Sequence, residues 1–157
     1  MTVRPAKIGD IPAILHLIRG LAEYEKALEE VVATEEDLIS SFFGDNPQVF
    51  AHVATKNDLV VAIAIWHLNY STWLGRHGMY LEDLYVLPYE RGQGFGMRLL
   101  KELARICVDR GYQRLQWWVL DWNEPSIEFY RSIEAVAMDE WTVFRVSGEP
   151  LKKLANP

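Results

Sequence analysis

Between Asp10 and Lys26 the apolar residues Ile11, Ile14, Leu15, Ile18, Leu21 and Ala22 recur at steps of three and four, with Arg19, Glu23 and Lys26 among the polar positions. That spacing predicts an amphipathic helix over residues 10–26, with Asp10 as its N-cap. Thr34 followed by Glu35, Glu36 and Asp37 is a second start signal. It precedes Leu38, Ile39, Phe42 and Phe43, and Gly44 with Asn46-Pro47 closes a shorter helix. The period then shortens. β-Branched and aromatic residues from Val49 to Thr55 and from Leu59 to Leu68 flank Lys56-Asn57-Asp58, which reads as a β-hairpin. A further strand, roughly Gly78 to Leu87, stops at Pro88. The run Arg91-Gly92-Gln93-Gly94-Phe95-Gly96 then opens a helical pattern through Leu99, Leu100, Leu103 and Cys107 to Gly111. Arg114 to Leu120 reads as a strand, and Asn123 to Ile133 as a helix capped by Asn123 with Pro125 in its first turn. Val136 to Val146 reads as one or two strands. The tail, Gly148 to Pro157, is polar and irregular, a loose end on which only Leu151 and Leu154 offer docking residues.

With 157 residues, half of them apolar, the chain has the size of one domain with its own core, and a single domain over 1–157 is expected. The longest apolar run, Leu59 to Trp66, falls far short of the ~20 residues that cross a bilayer, and no signal-like stretch opens the chain. A soluble protein is expected. The lone Cys107 has no partner for a disulfide or a cysteine metal site, and the four histidines lack paired ligand spacing, so the reading is cytoplasmic and metal-free. Cys107 itself falls on the apolar face of its helix and reads as an inert thiol. A formal charge of −6 is the wrong sign for nucleic acid or an anionic membrane. It suits a cationic small molecule, although modest negative charge also simply keeps proteins soluble.

Glycines at 92, 94 and 96 directly before a helix let the backbone turn tightly and present several N–H groups toward one point. The positive end of the helix adds to the attraction for an anion. Arg91 and Arg98 flank the first turn, where a helix alone favours Asp or Glu, so a bound phosphate would supply the missing negative charge. Glycines before a helix also serve as a plain turn. Without Lys-Ser or Lys-Thr after the last glycine the run is not a Walker loop, and its position and spacing do not fit a dinucleotide fingerprint.

The run Arg91 to Gly96 resembles the R/Q-x-x-G-x-G/A loop of the GNAT superfamily of N-acetyltransferases. Two further blocks, Tyr80-Leu81-Glu82-Asp83-Leu84-Tyr85-Val86 and Trp122-Asn123-Glu124-Pro125-Ser126-Ile127-Glu128-Phe129-Tyr130, resemble its diamine (spermidine/spermine) and thialysine acetyltransferase branch, as do Tyr24-Glu25 and Glu140-Trp141. The resemblance implies an α/β (α+β) GNAT fold, a mixed, mostly antiparallel sheet of six to seven strands flanked by about four helices. It implies acetyl-CoA as cofactor, a small polyamine, diamine or lysine-like amine as substrate, and a homodimer. The pyrophosphate would be gripped by Arg91, Gly92, Gln93, Gly94, Phe95, Gly96 and Met97. The pantetheine arm would pair with the backbone around Leu84, Tyr85 and Val86 as another strand, with Asn123 and Ser126 beside the cofactor. A protein N-terminus or lysine is the alternative substrate, and a non-catalytic acyl-CoA-binding module the alternative of another class.

Moving an acetyl group from a thioester to an amine needs a proton acceptor for the ammonium and a proton for the departing thiolate. Glu82 is the candidate acceptor, placed by the resemblance in the substrate pocket. Asp83 alternates to the opposite face unless the strand bulges, and reads as a carboxylate tied to backbone or Arg. Ser126 and Tyr130 share a helix face, and the resemblance gives Tyr130 the role of thiolate acid. The same residue is also a good amphipathic packing residue. Tyr24, Glu25, Glu82, Asp139 and Glu140 are the candidate amine site; scattered acids are usually solvated, and the resemblance lifts the first three above that, with Asp139 and Glu140 weaker because the connection before them varies in length. Trp117, Trp118 and Trp122 read as core and interface, the first two on opposite faces. Where the resemblance expects glycine after the Asn-Pro-Ser helix this chain has Glu134, which would shift the strand that follows.

Overall fold

The computed structural model describes residues 1–156; Pro157, the end of the expected loose tail, lies outside them. The chain divides into two compact units, Met1–Trp118 and Val119–Pro157. In the first, strands β1 (Thr2–Pro5), β2 (Val49–Lys56), β3 (Leu59–Ser71), β4 (Arg76–Val86) and β5 (Leu115–Gln116) form one sheet in that order, with helices α1 (Ile11–Tyr24), α2 (Glu35–Phe43) and α3 (Phe95–Arg110). The pairs from β1 to β4 are antiparallel and β4–β5 is parallel. The expected mixed, mostly antiparallel architecture holds, with five strands among the described residues in place of six or seven.

The β2–β3 hairpin turns where the sequence places it. Asn57 and Asp58 take φ of 50° and 64°, and Lys56 pairs with Leu59 across a two-residue loop. Both central residues in the left-handed region are what a twisted hairpin needs, and Asn and Asp tolerate it best after glycine. Thr34 caps α2 through a reciprocal bond pair with Asp37. Asp10 does not cap α1 in the expected way. It sits in helical conformation at the end of a 3-10 turn, where its carboxylate accepts from the Lys7 amide at 2.7 Å and pairs with Arg4 at 2.6 Å.

Alternation along the strands divides the core. Ala51, Val53, Ile63, Ile65 and Tyr85 pack with Ile11, Ile14, Leu15 and Leu17 of α1 and Leu38 and Phe42 of α2. On the other face, Cys107 of α3 brings its Sγ to 3.9 Å from Met79 Sδ, which confirms the thiol as a buried packing group.

The expectations for the chain ends change. Residues Thr2–Pro5, too short to show a period, form an edge strand on β2, whereas the expected strand 114–120 is reduced to Leu115–Gln116. In the second unit α4 (Glu124–Ser132) forms as expected with Asn123 as N-cap, but the Asn123 side chain makes no capping bond. Its carbonyl instead accepts from the Ser126 and Ile127 amides at 3.1 and 3.0 Å. Residues 136–146 form no strand, and Gly148–Ala155 is a helix, α5, where a loose tail was expected. Amphipathic spacing of Leu151 and Leu154, with Glu149 in the first turn and Lys152 and Lys153 in the last, explains the helix.

Candidate functional site

Position 82 decides the geometry of β4. Ile65 pairs with Asp83 and the next residue, Trp66, pairs with Leu81, so Glu82 is the extra residue of a β-bulge. In a straight strand Met79, Leu81, Asp83 and Tyr85 would share one face. The bulge splits them: Met79 and Leu81 stay on the α3 face, while Asp83 and Tyr85 turn to the face covered by α1. Both carboxylates are thereby placed at one bend. Glu82 is more than half exposed and lies 3.4 Å from His67 Nε2. Asp83 is partly buried, and its pKa is pushed up to about 7, first by desolvation and then by the neighbouring charges of Glu82 and Glu25. Glu25, just past the end of α1, is itself raised by burial.

The bend also opens the sheet. β5 pairs with β4 only at Met79–Leu115 and Tyr80–Gln116, and beyond Tyr80 no strand among the described residues continues on that side of β4. The backbone from Leu81 to Val86 is bonded to β3 on one side and free of strand partners on the other. That leaves a slot for one more extended chain. Trp118 borders this region, standing edge-to-face on Tyr80 with centroids 5.8 Å apart. Trp117 is half-buried and Trp118 exposed, as opposite faces require.

Past Val86 the chain makes a 3-10 turn, Pro88–Glu90, and enters the glycine loop. Gly92 and Gly94 have φ of 75° and 81°, with open space where a Cβ would stand. They are glycines because of their conformation, not because of crowding. Gly94 is the N-cap of α3 and supplies no side-chain cap, and the first turn contains no acidic residue. The Arg98 amide makes the first helical bond, to Gly94 O at 3.0 Å, so the amides of Phe95, Gly96 and Met97 bond to nothing among the described residues. An anion fits there without rearrangement.

Three side chains that sequence reasoning passed over or read differently brace the loop. Lys56 Nζ, at the hairpin turn, binds Glu90 Oε2 at 2.7 Å and Gln93 Oε1 at 3.1 Å, and Gln93 Nε2 donates to Glu90 at 2.7 Å. The Gln93 side chain is thereby held toward Lys56 and Glu90. Arg91 folds back: Nε donates to Val86 O at 3.2 Å and its guanidinium lies over the rings of Tyr24 and Tyr85 at 5.0 and 5.5 Å. Arg91 thus touches Tyr24, Tyr85 and Val86, and the shift of Asp83 ties Glu25 and Glu82 to the same end of the sheet. In the second unit, Ser126 and Tyr130 are half-buried on one face of α4, and Asn123 is buried. Glu140 lies in an exposed turn.

Residues 13–133 match the Acetyltransferase (GNAT) family. The chain is 40% identical to the thialysine N-epsilon-acetyltransferase of Bos taurus, over 98% of this chain and 96% of that one. It is 35% identical to the human spermidine/spermine N(1)-acetyltransferase-like protein 1, over 98% of this chain and 23% of the longer relative. Among solved structures, an integron cassette protein from V. cholerae superimposes with a TM-score of 0.82 at 27% identity, covering 99% of this chain and 98% of that one. An aminoglycoside acetyltransferase from a soil metagenome shares the fold, with a TM-score of 0.79 at 17% identity over 94% and 96% of the two chains. With the glycine loop, the split sheet and near-full-length relatives all in agreement, the chain belongs to the GNAT acetyltransferase family and is an N-acetyltransferase.

Proposed function

We propose that this enzyme transfers an acetyl group from acetyl-CoA to a primary amine of a small cationic substrate of the diamine, polyamine or thialysine type. The observation that carries the reading is the bulge in β4, which sets Glu82 and Asp83 beside the open edge of the strand, with Glu25 nearby. Acidic groups gathered at one end of the sheet favour an ammonium, and the curated relatives named above support the same class. We read the whole chain, both compact units, as one acetyltransferase domain.

Acetyl-CoA supplies the thioester carbonyl and a sulfur leaving group. The free amides of Phe95, Gly96 and Met97, the turn at Gly92–Gly94, and Arg91 and Arg98 suit its pyrophosphate. The unpaired edge around Leu84, Tyr85 and Val86 suits its amide-bearing arm. An ammonium must lose a proton before it attacks. We assign that proton to the Glu82/Asp83 pair, in which burial first and then the charge of Glu82 raise the proton affinity of Asp83. Tyr24 and Glu25 complete the amine site in this reading, and the family resemblance alone adds Glu140 to it and Asn123 and Ser126 to the cofactor site. Tyr130 Oη donates the proton that the departing sulfur takes up; the family resemblance supports these last roles.

A homodimer in the cytoplasm fits the same picture. Val136, Met138, Trp141 and Phe144 are all more than 60% exposed in the second unit, apolar surface of the kind that association covers. The lone thiol is buried and no helix among the described residues is long and apolar enough to cross a membrane. Thiol release from acetyl-CoA, measured against putrescine, spermidine, thialysine, lysine and a lysine peptide, tests the reading. Turnover concentrated on the free amines supports it. Preference for the peptide would assign a protein acetyltransferase, and binding of acetyl-CoA without turnover on any amine would assign a binding module.

A further inference from the structure

A second cavity, of about 410 Å³, opens at the other end of α3, on the face of the sheet that α3 covers. Its floor is the stacked pair Phe50 and Trp66, with centroids 4.5 Å apart, and α3 lines it with Glu102, Arg105 and Arg110. Arg105 lies eleven residues beyond Gly94, about 16 Å along a helix that rises 1.5 Å per residue. The cavity is therefore separate from the glycine loop. Its size falls within the usual range for small-molecule sites, about 300–1,000 Å³.

His52 gives the cavity its chemistry. Only 5% exposed, it accepts a bond at Nδ1 from Trp66 Nε1 at 3.1 Å. An indole nitrogen only donates, so the ring proton of His52 sits on Nε2. That N–H bonds to no protein group among the described residues and opens on the cavity. Burial holds the imidazole below its usual pKa, with Glu102 acting against the shift and Arg105 and Arg110 with it. Open to the cavity, that N–H is a donor that a ligand oxygen can meet in place of water.

The charges on the rim select the kind of oxygen. Arg105 is engaged twice, by Glu102 at 2.6 Å and Asp109 at 2.6 Å, and so has no free charge to offer a ligand. Arg110 has no ion pair among the described residues, and its guanidinium stands 6.0 Å from the ring of Trp66. One uncommitted cation and one uncommitted N–H thus meet beside an aromatic floor. From this we propose a second ligand site that takes a small aromatic carboxylate, its ring against the partly exposed Phe50 and its carboxylate shared by His52 Nε2–H and Arg110. Nothing in the acetyl-transfer chemistry uses these residues.

Phenylacetate is the probe, followed through the side-chain nitrogen resonances of His52 and Trp66 in the full chain. Millimolar phenylacetate should shift both in a saturable way, with or without coenzyme A present, while phenylacetamide, which has the same shape and no charge, should bind about tenfold more weakly. Arg110→Gln, at an exposed position that leaves the His52–Trp66 bond intact, should weaken phenylacetate by a similar factor and leave phenylacetamide unchanged. The proposal is overturned if neither resonance moves, if the amide binds as well as the acid, if Arg110→Gln has no effect, or if coenzyme A abolishes the shifts.

Discussion

Leu81 and Asp83 stand two residues apart in β4 and face opposite sides of the sheet, because Glu82 between them drops out of register with β3. That single extra residue turns a carboxylate from the α3 face toward α1 and sets it beside Glu82 and Glu25. Its pKa of about 7, against an ordinary 3.8, means that the folded state binds this proton more tightly than the unfolded chain does. Asp83 therefore costs stability increasingly as pH rises from about 4 to about 7, and the cost stays at higher pH. Asp83→Asn should stabilise the fold by at least about 1 kcal/mol near pH 8 and by little near pH 4, read as the difference in chemical denaturation at the two pH values.

Gly94 holds a φ of 81° at the N-cap of α3, a conformation that a β-branched residue adopts only under strain. Gly94→Val should distort the loop and weaken acetyl-CoA binding by tenfold or more, on the order of the 1–2 kcal/mol that such strain represents. Calorimetric titration with acetyl-CoA, on a variant shown to be folded by circular dichroism, is the check; unchanged affinity would remove the loop from the cofactor site.

At the end of α4 the left-handed position is filled by Glu134, with φ of 63°. Its amide donates to Arg131 O at 3.0 Å and the Ala135 amide to Tyr130 O at 3.1 Å, the bond pair of a Schellman turn. Glutamate takes the place of glycine without displacing the turn, and it does so at a steric cost. Glu134→Gly should stabilise the chain by about 1 kcal/mol, a gain visible as a rise in Tm.

Tyr130→Phe removes one hydroxyl from a half-buried face of α4. Acetyl-CoA affinity should survive while kcat falls by roughly 10²-fold or more, the usual worth of a general acid, with no recovery at high pH. Steady-state rates across the pH range, paired with binding measurements, separate this outcome from a simple packing defect.

How far the sequence could be read depended on what each segment's pattern had to settle. Asn57-Asp58 and the run from Gly92 to Gly96 were legible because their backbone angles allow few residue types, and helices α1 to α4, unlike the short α5, because a 3.6-residue period needs no partner to be recognised. Strands are different: a period-2 pattern becomes a strand only where a sheet edge receives it. Residues 136–146 carry the pattern and form none, whereas Thr2–Pro5 carries almost no pattern and is held by β2. The site's bend was hidden in the same way. A signal was present, since Asp83 occupies the register of Met79, Leu81 and Tyr85, where an apolar residue is expected in a straight strand. A carboxylate in that register marks either a bulge or a buried acid, and here it marks both.

The pH dependence of kcat/KM for the best amine, compared between the wild type and Glu82→Gln, tests most directly whether the bulged carboxylate pair takes the amine's proton. The account predicts an acid limb near pH 7 in the wild type, set by Asp83. In Glu82→Gln the limb should move to lower pH, because the charge that helps to raise Asp83 is gone, and the rate on its plateau should fall. An acid limb near pH 4 in the wild type, or profiles that coincide in the two proteins, would contradict it.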